Sequence, residues 1–202
     1  MEISQAQRDV RTVYRGGSVG QLVSGVVWLV AAGVGTWVSP PAAMTALFLG
    51  GTLIFPLTTA VLRLTGGPAA LPAGHPMAAL ATQLAFTVPF GLLVALAAAG
   101  HREDWFFPAS MVIVGAHYLP FVFLYGTRLF AVLAGCLVFG GVGLAQWVPE
   151  PFSGGGWLTG LLLILFALLL GASDKARRTP PEATAGTAPA TSSSPPGQEP
   201  GR

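Results

Sequence analysis

The chain has 202 residues, of which 52% are hydrophobic and 9% charged, with a net charge of +2 and a mean hydropathy of +0.66. Soluble domains carry about 25% charged residues, so this composition belongs to a membrane protein, and so small a net charge excludes a nucleic-acid footprint. A single cysteine, Cys136, excludes a disulfide framework and a cysteine-based metal site.

Residues 1–17 are a polar, cytoplasmic lead-in carrying Arg8, Arg11 and Arg15. Its apolar positions Ile3, Ala6, Val10 and Val13 recur at three- and four-residue steps. That spacing predicts a short amphipathic helix lying on the membrane surface, although a solvated helical start fits the same pattern. Six apolar runs follow: Ser18–Val38, Ala42–Leu62, Met77–Ala99, Trp105–Tyr125, Leu129–Val148 and Trp157–Ala172. The first is too long for the ~7–15-residue apolar core of a signal peptide. Most match the ~20 residues that cross ~30 Å of hydrocarbon. The last is the shortest, and Gly154-Gly155-Gly156 precedes it. The expected fold class is therefore all-α, a polytopic transmembrane bundle of six spans over residues 18–172.

Most connections are short and hold helix breakers, as at Ser39-Pro40-Pro41 and Gly126-Thr127, which sets neighbouring helices antiparallel. Only the stretch from Thr65 to Pro76 is long. With the N-terminus in the cytoplasm, the inner side receives Arg8, Arg11, Arg15, Arg63, Arg128, Lys175, Arg177 and Arg178, and the outer side only Arg102. Trp37, Trp105, Trp147 and Trp157 then fall at the outer ends, as an aromatic belt requires. Both termini are expected in the cytoplasm, and the location is the cytoplasmic membrane. Residues 173–202 begin with a basic stop and continue as a Pro/Ala/Thr/Ser-rich segment, which predicts a disordered tail.

No Asp, Glu, Lys or Arg lies well inside a span, which argues against a conventional ion-driven transporter. The three histidines, His75, His101 and His117, fall at different depths, so no shared metal site and no cofactor is expected. His117 stands apart, roughly 13 Å from the inner end of the fourth span, where an ionisable side chain needs a reason. Ser110, Val114, His117, Phe121 and Tyr125 share one face of that helix. By depth, Gln83, Ser24, Thr58, Thr59, Tyr118 and Tyr125 lie in the same inner half. Pro56, Pro89 and Pro120 interrupt three spans and permit kinks. These observations predict a small polar vestibule open to the cytoplasm, with His117, Tyr118, Gln83, Ser24, Thr58 and Tyr125 as candidate binding residues. Kinks that merely fit helices together are the competing account.

Ile54-Phe55-Pro56, Gly74-His75-Pro76, Trp105 followed by Pro108, and Gly115-Ala116-His117-Tyr118-Leu119-Pro120-Phe121 with Tyr125 carry a family resemblance. From Arg8 to Gln146 the chain resembles an uncharacterised family of bacterial multi-pass membrane proteins, known only as a domain of unknown function. The resemblance implies a bundle of membrane helices and no activity, cofactor or catalytic residue. Two functional readings follow. One is a non-catalytic protein of the bilayer, either a conduit for a small polar solute or a partner and regulator of other membrane proteins. The other is a membrane-embedded enzyme using His117 as an acid–base or hydrogen-bonding residue. Small-residue faces suit packing within one bundle and oligomerisation equally well.

Overall fold

A computed structural model describes residues 2–147 and 151–178. Among the described residues there are seven α-helices: α1 Ile3–Val13, α2 Ser18–Trp37, α3 Pro40–Leu64, α4 Ala78–His101, α5 Phe106–Tyr125, α6 Leu129–Trp147 and α7 Gly154–Arg178. Helices α2 to α7 are each long and apolar enough to span a bilayer, so the chain is a multi-pass membrane protein by helix composition. Their limits follow local chemistry. Ser39 caps α3 by accepting from the Ala42 amide at 3.3 Å, with Pro40 and Pro41 in the first turn. Gly126, at φ +61°, ends α5 in the left-handed conformation.

Two expectations need correction. The sixth span is not short: α7 has 25 residues and absorbs both the triple glycine and the basic segment after Ala172. Phe107 packs against Gly155 and Gly156; a Cβ on Gly156 would come 2.7 Å from its ring. Residues 173–178 thus continue α7, and the rest of the expected tail lies outside the described residues, as does Val148 at the expected end of the fifth span.

Helix α1 is amphipathic, but protein covers three of its four apolar positions, and only Ile3 stays exposed. Ala6, Val10 and Val13 are all buried. Arg15, Gly16 and Gly17, with φ of 49°, 65° and 85°, turn the chain back so that α1 lies across the end of the bundle. Gln7 Nε2 donates to the Phe123 carbonyl at 2.6 Å and Arg11 donates to that of Tyr125 at 2.5 Å. Arg15 donates to the carbonyl of Thr65, just beyond α3, at 2.7 Å. One end of the bundle therefore gathers the start of α2, the ends of α3 and α5, and most of the basic residues. Trp37 and Trp157 meet at the other end, where Trp157 Nε1 donates to Thr36 Oγ1 at 3.0 Å.

The most extensive helix contacts are α5 with α6, α2 with α7 and α2 with α3. Between equally greasy helices in lipid, van der Waals fit decides association, and small residues allow the closest approach. Gly160 of α7 lies against Leu29 of α2, and Gly25 of α2 against Ile164 and the Gly160 carbonyl. In α6, a Cβ on Gly141 would lie 2.6 Å from the Pro108 carbonyl oxygen and 3.0 Å from Met111 Cβ. Gly115 of α5 meets the Ala134 carbonyl and Leu137 in the same way. Gly135, also in α6, has nothing within 4 Å of its Cβ position. Gly141→Ala is expected to destabilise the protein by about 1–3 kcal/mol through overpacking. Gly135→Ala is expected to be neutral or stabilising by up to ~1 kcal/mol. Thermal melting of the two variants in one detergent checks the contrast; equal melting points would refute the close-packed α5–α6 contact.

Candidate functional site

Helices α2 to α5 surround a cavity of about 150 Å³ in the half of the bundle nearest the basic end. Each wall follows from helical spacing. On α2, Gln21, Ser24 and Trp28 share a face by three- and four-residue steps. On α5, Val114, His117, Phe121 and Tyr125 do the same, joined by Tyr118. Helix α3 presents Ile54, Phe55 and Thr58, and α4 presents Ala81, Leu84, Ala85 and Val88.

Five of the six candidate residues, His117, Tyr118, Ser24, Thr58 and Tyr125, come together on this cavity. Gln83 does not. It lies on the exposed side of α4, off the stripe of Ala81, Leu84, Ala85 and Val88 that faces inward. Ser110, on the expected face of α5, is fully buried outside the lining. Gln21 supplies the amide expected from Gln83 and is 2% exposed. Its signal was its position one helical turn before Ser24.

Among the described residues, seven buried side-chain nitrogen or oxygen atoms lack a hydrogen-bond partner, and four of them belong to this cavity's lining. These are both amide atoms of Gln21, Thr58 Oγ1 and His117 Nδ1. The Tyr118 hydroxyl interacts with the side chains of both Ser24 and Gln21, but its approach to Gln21 falls short of hydrogen-bond geometry. The other three orphans, on His75, Trp105 and Ser110, are scattered. Each unmatched buried polar group costs about 1–3 kcal/mol, so such a concentration is a property to be explained. The surroundings are aromatic. The His117 ring lies 4.9 Å from that of Phe121 and 5.4 Å from that of Tyr118, and Tyr125 stacks on Phe121 at 5.6 Å. Among the described residues no carboxylate, lysine or arginine lines the cavity.

At the basic end the cavity is roofed. Tyr14 and Gly17, in the turn between α1 and α2, form part of its wall. Burial holds the Tyr14 phenol above its ordinary pKa, and its hydroxyl interacts with the backbone of Leu71 in the α3–α4 loop. His75 in that loop is buried, its Nδ1 accepts from the Met77 amide at 3.2 Å, and its Nε2 faces Asp9 of α1 at 3.5 Å. Among the described residues no three of His, Cys, Asp and Glu are grouped to hold a metal. The expected mouth at this end is therefore covered by α1 and the loop. In a Cys136→Ser background, Ser24→Cys in proteoliposomes is expected to react slowly with a charged maleimide. Adding Asp9→Asn and Arg15→Gln should raise that rate several-fold. An unchanged rate would show that these contacts do not seal the cavity.

A family described as a family of unknown function, DUF7010, matches residues 3–173. The match exceeds the Arg8–Gln146 range of the resemblance and takes in α1 and most of α7. No curated protein and no solved structure matches the chain.

Proposed function

Since the chain belongs to the DUF7010 family, whose function is unknown, we propose a role from the cavity itself: it binds an uncharged, hydrogen-bonding group within the membrane. The observation that carries this reading is the set of four unpartnered polar atoms, from Gln21, Thr58 and His117, on one small aromatic-walled cavity. Ligand sites are typically apolar pockets with a few converging polar groups, and buried polar atoms want partners. The Gln21 amide offers two donors and an acceptor, and Thr58 a hydroxyl able to do both. A charged ligand would enter low-dielectric surroundings with no counter-ion, which is strongly unfavourable. Binding is favoured over acid–base catalysis by His117, because no carboxylate lines the cavity to orient or charge the imidazole.

The same proposal places the protein in the cytoplasmic membrane with its basic end inside. Its support is the collection of Arg8, Arg11, Arg15, Arg63 and Arg128 at one end and of Trp37 and Trp157 at the other.

Gln21→Met tests the binding role. Replacing an unmatched buried amide by an apolar chain of similar length should stabilise the ligand-free protein by about 1–2 kcal/mol. A solute present at about 100 times its Kd should add about 2.7 kcal/mol to the wild type and much less to the variant. The measurement is a thermal-shift screen of purified protein against uncharged and charged metabolites. The reading fails if Gln21→Met is destabilising, or if charged compounds are the better stabilisers.

A further inference from the structure

Resting on that reading of the cavity, we infer that its occupant is the headgroup of a neutral, hydroxyl-bearing lipid of the diacylglycerol kind, admitted sideways between α3 and α4. The first argument is where the cavity opens. Phe55 lines it and is nevertheless 52% exposed. Ile54, Thr58, Ala85, Val88 and His117 also line it and are only partly buried. Phe55 lies nine residues before the end of α3 at Leu64, and Val88 ten residues after the start of α4 at Ala78. At 1.5 Å per residue these are depths of roughly 14–15 Å, well inside the hydrocarbon. An opening there faces acyl chains.

The second argument is helix packing. Helices α3 and α4 pack against α2 and α5 far more than against each other, and they are the least buried of the six spans. The seam between them is therefore loose, while the basic end is roofed by α1, Tyr14 and the α3–α4 loop. Water-soluble compounds meet the closed end and lipids meet the open side.

The third argument is chemistry and size. A volume of about 150 Å³ is far too small for a whole lipid and suits only a small polar headgroup, with the acyl chains left outside. The free hydroxyl of a diacylglycerol donates and accepts, as the Gln21 amide and Thr58 hydroxyl require, and its ester oxygens accept from donors. Ile54, Phe55, Ala85 and Val88 give the seam an apolar rim on which acyl chains can lie. A phosphate headgroup finds no cation in the cavity to balance it.

The experiment uses the full-length protein in phosphatidylcholine nanodiscs, with binding read by native mass spectrometry and by thermal midpoint. The probes are dioleoylglycerol, dioleoylphosphatidic acid and glycerol. Dioleoylglycerol is expected to bind saturably, one per chain, and to raise the midpoint. Gln21→Leu and the near-isosteric Thr58→Val should each weaken it roughly three- to tenfold. Ala85→Phe, and more strongly Ala85→Trp, should hinder it by filling the seam, with the unliganded midpoint reporting whether each variant is folded. If glycerol binds in a Gln21-dependent way and dioleoylglycerol does not, sideways access is overturned and the uncharged polar site stands. If phosphatidic acid binds as well as dioleoylglycerol, or if neither Gln21→Leu nor Thr58→Val changes binding, both the lipid assignment and the underlying reading fall.

Discussion

Hydrocarbon offers no hydrogen bonds, and that constraint governs every polar side chain in the spans. Threonine shows the ordinary solution. Thr45, Thr59, Thr82, Thr87 and Thr159 each return their hydroxyl to the carbonyl four residues back, so they can lie in a span without a partner helix. Thr58, next to Thr59 on the same helix, does not. Its hydroxyl is left for the cavity, where the Gln21 amide and His117 Nδ1 are left as well. Apart from Ser110 in α5, the breaks in this rule within the described spans gather at the cavity, in three residues from three different helices.

The spans were legible because bilayer thickness translates directly into the length of an apolar run. Where the structure departed from that reading, a tertiary contact decided. The pattern of Ala6, Val10 and Val13 suits a lipid surface and a protein surface equally well. The backward turn at Arg15–Gly17 and the bonds from Gln7 and Arg11 to α5 choose the protein. Likewise the triple glycine at 154–156 looks like a break in sequence, yet it is helical, and Gly155 and Gly156 leave room for Phe107.

The candidate site shows the difference between depth and direction. Counting residues from a span end places Gln83 level with the cavity, but rotation about the helix decides which side of α4 it occupies. Leu84, the neighbouring residue, points inward and is 6% exposed, which carries Gln83 about 100° away from it. The near-uniform hydrophobicity of α4 hides its inward face from pattern reading. The histidine motif was legible as special, but for two separable reasons. Gly115 lets α5 approach α6 closely, while His117 and Tyr118 line the cavity and Leu119 and Pro120 stay exposed. A single seven-residue motif therefore serves a packing contact on one side and a polar cavity on the other.

These two roles are mechanically linked. The glycine contacts bind α2 to α7 and α5 to α6, so the helices that carry Gln21, Ser24, His117 and Tyr118 are each held from behind. Helices α3 and α4 are held to α2 and α5 through Gly50 on Val27 and Gly91 on Ile113, but meet each other only weakly. The loop between them is the longest described connection in the chain. Gln21 and His117 thus sit on helices held by partners on the far side, while Thr58 lies on α3, which borders the seam. A bundle selected only for stability would close that seam and exchange Gln21 and Thr58 for apolar residues, since each unmatched polar atom disfavours the empty state. On the proposed reading, an occupant that completes the hydrogen bonds of Gln21 and Thr58 while lying between α3 and α4 accounts for both departures from good packing at once.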